Sequence, residues 1–317
     1  MKTAKFLTLA ALALAAVTGC TKENGVNDDP MAITIKAGIG DMTKVSYEGN
    51  KSAFAAGDSL SLFAWIGEKT AIPNDLVVNN VTNKLAADGN WKPTVQIKWY
   101  DMVTEHYFIA VSPARTVTSF SADPYVLDPA AEKYSVSDLL FATNLAGLKA
   151  NDNPVELTFD HAMAKLNVNL AFRDQWTPLP KEKETDPNVE ALVASVVATA
   201  KNTATLNYLA KTVTATGDQA AVSLNKIANA SWTTLMVPQA GFRTIAINLS
   251  GNDEWLGGNG TFVYNASEDI KLESGKITTV NLIVGRNQIT LAPEGITITN
   301  WEGGAVVDNG EAQIPEE

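Results

Sequence analysis

Two histidines, His106 and His161, are the residues of this chain best suited to act as a general base or to bind a transition metal. Two histidines alone do not make a metal cluster, and the chain has no H-E-x-x-H, paired-cysteine or G-x-S-x-G motif beside them. His161 falls on the apolar side of a predicted strand, which is typical of a hydrogen-bonded structural histidine. The sequence therefore predicts no catalytic centre, metal site or cofactor, with a carboxylate pair for glycoside hydrolysis as the enzymatic alternative.

The single cysteine, Cys20, indicates a different chemistry, the attachment of lipid. It ends the tetrapeptide VTGC, which resembles the diacylglyceryl-modification site of bacterial lipoproteins. The residues before it have the form of a signal peptide, with a basic start and an apolar run too short to span a bilayer as a helix. We therefore expect a signal peptide over residues 1–19 and a lipid on Cys20. The alternative is an ordinary signal peptide followed by a free thiol.

Charge and polarity limit the partners of the protein. The formal net charge of -11 argues against a nucleic-acid or anionic-membrane surface, since either would require clustered Lys and Arg. Residues 20–30 show no hydrophobic periodicity and are predicted to form a polar tether. The charge pattern of this tether resembles the export tags that carry Bacteroidetes lipoproteins to the cell surface.

The elements that position any site are organised around one stretch, residues 155–172 (VELTFDHAMAKLNVNLAF). Its apolar residues occupy odd positions up to Met163 and even positions from Leu166 onwards. The buried face of a continuous strand would therefore change side, which requires an extra residue, a bulge or a bend near 162–165. We predict a strand that leaves one β-sandwich and enters a second.

The rest of the chain reads as short strands between turns. Among them, Val95–Trp99 is predicted to be a strand, and Glu190–Ala200 suits either a helix or a strand, with strand favoured. Many short strands at turn-punctuated intervals predict an all-β fold of sandwiches. A chain of 317 residues is long enough for two domains, which we place at 31–156 and 157–317.

Six short segments, taken together, resemble the Bacteroidetes fimbrillin-like family. They follow the order seen in that family and span almost the whole chain after the signal peptide. These segments are FAAGD at 54–58, DLLFA at 138–142, HAMAKL at 161–166, VPQ at 237–239, LESGK at 272–276 and ITITNWE at 296–302.

The resemblance implies a lipoprotein precursor of a type V fimbrial subunit, of the Mfa-like kind, built from two transthyretin-like β-sandwich domains in tandem. In the family, a protease removes the first strand, and a strand from a neighbouring subunit fills the groove that opens. In this chain the exchanged strand would carry Ile33, Ile35 and Ile39, which alternate with polar residues. The alternative is an ordinary strand that never leaves its sheet. The implied partners are other fimbrial subunits or host and bacterial surface ligands, and outer-membrane lipid through Cys20.

Two features separate this chain from polymerising relatives, in which cleavage follows an arginine after the first strand. The first arginine here is Arg115, so that Lys44 becomes the candidate processing site. Beyond Trp301 the only apolar run is AVV at 305–307, which makes a poor donor strand. Both features favour a tip, anchor or accessory subunit, or a retained surface lipoprotein, over a stalk subunit.

Tryptophans support an alternative function, a surface glycan-binding lipoprotein. Trp176 and Trp255 lie in stretches rich in polar residues, and exposed tryptophans on β-sandwiches stack on sugar rings. Trp255 is the candidate surface-binding residue, with core packing as the other interpretation of each tryptophan. Under either function we expect the protein at the cell surface, lipid-anchored in the outer membrane.

Overall fold

The computed structural model describes residues 29–40, 53–128, 137–172, 193–228, 230–250, 260–285 and 288–301. Strands make up nearly all of the regular structure of these residues, with one short 3-10 helix at Ala150–Asp152. The prediction of an all-β fold is confirmed.

The strands are numbered in chain order. The first eight are β1 (Ile35–Ile39), β2 (Ser59–Ile66), β3 (Val78–Leu85), β4 (Trp91–Pro93), β5 (His106–Ser112), β6 (Asp123–Val126), β7 (Leu140–Leu148) and β8 (Val155–His161). The others are β9 (Ala164–Phe172), β10 (Val193–Asn207), β11 (Thr212–Ser223), β12 (Asn225–Ala228), β13 (Ser231–Met236), β14 (Thr244–Leu249), β15 (Gly260–Asn265), β16 (Lys276–Val284) and β17 (Ile289–Asn300).

The N-terminal sheet has seven strands in the order β1-β8-β7-β5-β2-β3-β4. Its central strands β2 and β5 are nearly continuous runs of apolar residues, and both are buried along almost their whole length. Such runs are expected where a sheet is covered on both faces. One face packs against residues of its own half, which we call the N-terminal core and which includes Leu62, Phe108 and Phe159.

The C-terminal half is built from two five-stranded sheets. One has the order β11-β10-β14-β15, with β6 pairing the far end of β10, and the other has the order β12-β13-β9-β16-β17. Alternating apolar residues from β9, β10, β14 and β16 form the core between them. The segment that was ambiguous between helix and strand therefore lies in β10, a strand from Val193 onwards.

The predicted crossing strand is present. β8 pairs with β1 and β7 in the N-terminal sheet, whereas β9 pairs with β13 and β16 in the C-terminal half. Between them lie Ala162 and Met163, both fully buried, at the place where the apolar phase changes. The bend is confirmed, while the domain boundaries and the transthyretin-like arrangement stay predictions.

A third core joins the two halves. The second face of the N-terminal sheet contributes Phe63, Trp65 and Ile109, and the C-terminal half contributes Tyr208 and Trp301, among other residues. These side chains come from segments far apart in sequence. The two halves are thus held together by a shared hydrophobic core as well as by the crossing strand.

His161 lies at this junction and is a structural histidine, as predicted. Its Nδ1 is 2.9 Å from Asp138 Oδ1, and its ring stacks on the indole of Trp301 at 4.4 Å between centroids. The predicted strand at Val95–Trp99, by contrast, is wrong: these residues form only one isolated bridge, Ala32 to Lys98. The reason is that its backbone hydrogen bonds to the Ile33 N–H and the Met31 carbonyl make one bridge, which is too short a contact for a strand.

A buried polar network also ties the halves together. The Tyr208 hydroxyl donates to Asp123 Oδ2 at 2.7 Å, and Arg115 reaches the same carboxylate at 3.2 Å. Burial and this hydrogen bond raise the pKa of Tyr208 well above its ordinary value. Thr118 donates through its backbone N–H and its hydroxyl to the other oxygen of Asp123, so the carboxylate is fully partnered.

We expect Tyr208→Phe to lower the free energy of unfolding by about 1–3 kcal/mol, because it leaves a buried carboxylate without one of its donors. Chemical denaturation would measure the loss. Tyr100→Phe is the matched control, since the Tyr100 side chain is exposed and its hydroxyl is open to water. An equal effect of the two substitutions would contradict the role given to the network.

The ring of His106 fixes the chain that leads into β5. Its Nε2 accepts a hydrogen bond from the Tyr100 backbone N–H at 2.9 Å, so the neutral ring carries its proton on Nδ1 and donates to the Thr104 carbonyl at 2.9 Å. The indole of Trp99 packs edge-on against it at 4.9 Å. Burial lowers the pKa of His106, which keeps the ring neutral and able to accept.

Acidification is therefore expected to destabilise the fold through His106. Below the ordinary value of 6.5, the unfolded chain binds a proton that the folded chain excludes. The stability that comes from neutral His106 is complete above that pH and is lost as the pH falls towards the lowered pKa of the folded state. Denaturation of the native chain and of His106→Gln, measured from about pH 8 to about pH 5, should show a shallower decline in the variant. Parallel declines would contradict this assignment.

Candidate assembly site at the first strand

The first segment, residues 29–40, contains the strand predicted to be exchanged. Within it, β1 lies at the edge of the N-terminal sheet and pairs in parallel with β8, with Ile35 opposite Val155 and Ile39 opposite Phe159. An edge strand has a partner on one side only, which is the position from which a strand can leave without breaking a sheet apart.

The residues just before β1 pair with a different part of the chain. The Ile33 backbone N–H donates to the Ile97 carbonyl at 3.0 Å, and the Trp99 N–H donates to the Met31 carbonyl at 2.9 Å. Residues 97–99 follow β4, the strand at the opposite edge of the sheet. The first segment thus pairs with β8 on one side and with residues 97–99 at its start, and Ile97 and Trp99 belong to the same N-terminal core.

The apolar side chains of the first segment are part of the N-terminal core. Ile33 and Ile39 are 3% and 7% exposed, and Ile35 is half-buried against the same cluster. Full burial of an isoleucine side chain contributes about 1.5–3 kcal/mol. The structure therefore packs all three residues in or against the N-terminal core, with Ile33 and Ile39 the most deeply buried, and their exchange stays a prediction.

Asn153 holds the middle of the segment through its side-chain amide. Its Nδ2 donates to the Ala32 carbonyl at 2.7 Å, and its Oδ1 accepts from the Thr34 backbone N–H at 3.2 Å. The Thr34 carbonyl in turn accepts from the Val155 N–H at 2.8 Å. An amide that offers both a donor and an acceptor can pair with extended backbone of any sequence, so this contact does not depend on the side chains of the segment.

Two ion pairs lie along the segment at the surface. Asp29 contacts Lys98 at 2.7 Å, and the hydrogen bond from Lys98, followed by that from the Met31 backbone N–H, lowers the pKa of Asp29. Lys36 contacts Glu156 at 2.9 Å, with both side chains 71% exposed. Exposed pairs of this kind add little to stability, so burial and backbone pairing are the main terms.

β8 depends on β1 more than its place inside the sheet suggests. Its ladder with β7 has only two register pairs, Leu140–His161 and Phe141–Asp160. Along Val155–Phe159, β1 supplies the ladder, and on the β7 side the Asn144 side chain donates to the Glu156 carbonyl at 3.0 Å. Removal of β1 would leave five successive residues of β8 with very little backbone pairing on either side.

Other residues singled out in the sequence lie outside the described residues. These are the lipidation candidate Cys20, the processing candidate Lys44, and the tryptophans Trp176 and Trp255. Lipid attachment, cleavage and glycan stacking therefore stay predictions.

Arg115 is placed unfavourably for a processing protease. Its backbone N–H donates to Ser61 Oγ at 3.1 Å, and its carbonyl accepts from the same hydroxyl at 2.9 Å. Its side chain takes part in the Asp123–Tyr208 network. Cleavage after Arg115 would thus require loss of its hydrogen bonds to Ser61 and of its contacts with Asp123 and Tyr208, and Lys44 stays the predicted processing site.

The described tryptophans favour core packing. Trp65, Trp99, Trp232 and Trp301 are buried, and Trp91 is half-buried against Phe54 at 5.1 Å between ring centroids. Sequence reasoning missed Asn153 and the contact of residues 97–99 with the first segment, because no local pattern links residues so far apart.

The comparison with protein families gives a direct match. The family model described as fimbrillin-like matches residues 43–301. No significant match was found among curated protein sequences. In the part of the chain that the structure describes, no helix is long and apolar enough to cross a membrane, and no group of three or more His, Cys, Asp or Glu side chains could hold a metal ion.

Two solved structures with a similar fold come from Bacteroides species. A candidate cell adhesion protein from Bacteroides uniformis is 16% identical, with a TM-score of 0.61 over 86% of this chain and 100% of that chain. One from Bacteroides ovatus is 15% identical, with a TM-score of 0.60 over 85% and 97% of the two chains. At these identities the likeness concerns the fold. The family match extends over most of the sequence, and this chain belongs to the fimbrillin-like family.

Proposed function

We propose that the protein is the lipid-anchored precursor of a surface subunit of type V fimbriae, and that it joins its neighbours by exchange of the first strand. The starting point is family membership, because fimbrillin-like proteins are structural and adhesive subunits and not an enzyme family. The lipid on Cys20 would hold the protein in the outer membrane at the cell surface. Its partners would be other fimbrial subunits or surface ligands.

The observation that carries the proposal is the pairing of β1 with β8. β1 is short, lies at a sheet edge, and supplies almost all the ladder of Val155–Phe159. The first segment also fills the N-terminal core, with Ile39 on β1 and Ile33 just before it. A single short segment therefore pairs with the β8 backbone and packs in the apolar core.

Release of the first segment would expose an apolar groove and an unpaired edge of β8, and both favour the binding of a replacement strand. Each exposed apolar anchor costs about 1.5–3 kcal/mol, and the freed edge of β8 presents unpaired N–H and C=O groups. A strand from another subunit with apolar residues at alternate positions would restore both terms. This is β-augmentation, in which backbone bonds give affinity and side-chain pockets give specificity.

A position at the tip or in an accessory role fits this chain better than a position in the stalk. A stalk subunit must both accept a strand and donate one. Ile33 and Ile39 fill the cleft that an incoming strand would take, whereas within residues 302–317 the AVV run at 305–307 is short for a donor strand. Cleavage would depend on Lys44, because Arg115 is held by Ser61 and by the Asp123–Tyr208 network.

Weakening the hold of β1 should expose the groove to a strand offered from outside. We expect Ile39→Asp, which places a charge in the N-terminal core, to increase the capture of a fluorescent peptide with the sequence of residues 31–40. Fluorescence anisotropy on the purified mature chain would measure binding. Thr34→Asp is the matched control, because it adds the same charge at an exposed position of the same segment.

Circular dichroism would show whether both variants keep their β structure. Capture by Ile39→Asp and not by Thr34→Asp supports exchange at this groove. Folded Ile39→Asp that takes up no peptide would overturn strand exchange while leaving family membership intact.

Protease treatment distinguishes the tip role from the stalk role. A trypsin-like protease is expected to cut after Lys44 and yield a chain that accepts the peptide but forms no ordered polymer by itself. Electron microscopy and mass spectrometry of the products would test this, with Lys44→Gln as the uncleaved control. Ordered polymers of the cut chain would contradict the tip role and show that this protein can act as a stalk subunit.

A further inference from the structure

The connection between residues 97–99 and β5 forms an exposed apolar loop, residues 100–103. Tyr100 is 65% exposed, Met102 38% and Val103 73%. Elsewhere in the described residues, the exposed large apolar side chains lie on strands, at Val126, Ile227, Val263, Leu291 and Ile298, except for Val95, which follows β4. Three apolar tips on one short loop are a different feature from apolar residues scattered along strands.

The loop is held in one conformation by hydrogen bonds. Asp101 Oδ1 accepts from the Val103 and Thr104 backbone N–H groups at 2.9 and 2.6 Å, and Asp101 Oδ2 accepts from the Thr104 hydroxyl at 2.7 Å. These bonds, the Thr104 backbone bond first, lower the pKa of Asp101. Its charge is thus satisfied within the loop.

The base of the loop is equally fixed. The Tyr100 backbone N–H donates to buried His106, and the ring of Trp99 packs against the same histidine. A loop ordered in this way presents its apolar tips without a further entropy cost on binding. The apolar side chains of the loop are themselves exposed to solvent, so the hydrogen bonds at its base do not serve to bury them.

The position of the loop relates it to the proposed anchor. Trp99, the residue before Tyr100, pairs with Met31, and Lys98 contacts Asp29, where the described chain begins. Nine peptide units separate Cys20 from Asp29, and they span at most about 30 Å when fully extended. A lipid on Cys20 therefore keeps Asp29 within about 30 Å of the membrane surface, which leaves the loop able to reach it.

We propose that the loop of residues 100–103 inserts its apolar tips into the outer leaflet of the membrane that carries the Cys20 lipid. The proposal rests on the lipid anchoring proposed above. The ligand is the acyl-chain region of that leaflet, and the contact is apolar, because a chain with a net charge of -11 has no electrostatic attraction to anionic headgroups. The contact is weak by itself, and tethering supplies the effective concentration that makes it persist. It would fix the orientation in which the first segment and its groove are offered to other subunits.

The test uses the lipidated full mature chain in vesicles of phosphatidylcholine and phosphatidylethanolamine. Because Cys20 is the only cysteine and its sulfur would be joined to lipid, Val103→Cys introduces the only free thiol, to which an environment-sensitive fluorophore is attached. Val126→Cys is the matched control, the same residue type with 67% exposure on β6. Spin-labelled lipid should quench the probe at position 103 about twofold or more, independently of salt, and leave the probe at position 126 unchanged.

Each outcome has a distinct meaning. Thiol labelling of the parent chain would show that Cys20 carries no lipid, which overturns the anchor. If the parent chain is unlabelled and both probes remain unquenched, the anchor stands and the loop contact is wrong. A probe at position 103 that is shielded from aqueous iodide but not quenched by spin-labelled lipid would identify a protein partner at this loop and overturn the membrane contact.

Discussion

The parallel ladder between β1 and β8 is the interaction on which the N-terminal half of the structure depends. It joins a strand at the edge of the sheet to the strand that continues into the C-terminal half. β8 has little other backbone pairing along Val155–Phe159, so the ladder supports the crossing strand as well as the groove. Loss of β1 would therefore destabilise both the apolar core and the strand that leads into the C-terminal half.

The crossing strand and the third core both connect the N-terminal half to the C-terminal half. β8 ends at His161, whose ring contacts Asp138 and Trp301, and β9 begins three residues later at Ala164. The shared core surrounds this bend with aromatic and aliphatic side chains from both halves. A subunit of a surface fibre benefits from such a connection, because force passes through paired backbone and packed side chains instead of a flexible linker.

Local periodicity predicted part of this structure and missed the rest for physical reasons. The change of apolar phase at residues 162–163 was readable because strand side chains alternate strictly. β3, with the sequence VNNVTNKL, was missed because its asparagines and lysine depart from that alternation. The shared core was also missed, since it depends on long-range contacts between Trp65, Tyr208 and Trp301 that no sequence window contains.

At the candidate site, too, local periodicity predicted some of the residues and missed others. Ile33 and Ile39 were predicted as anchors from alternation, and the structure buries both. Asn153 and residues 97–99, which hold the same segment through its backbone, have no apolar pattern that would reveal them. Family resemblance supplied the idea of exchange, and the geometry supplied the reason that β8 in particular would need a replacement strand.

A disulfide that locks β1 onto β8 tests the central claim most directly. Lys36 and Glu156 are exposed register partners, so Lys36→Cys with Glu156→Cys can close this bond, and the register pair Thr244→Cys with Asn265→Cys on β14 and β15 serves as the control. The measurement is the incorporation of the lipidated protein into fimbriae before and after reduction. Strand exchange predicts that the β1–β8 lock blocks incorporation, that reduction restores it, and that the control lock has no effect. Undiminished incorporation of the locked protein would contradict the account.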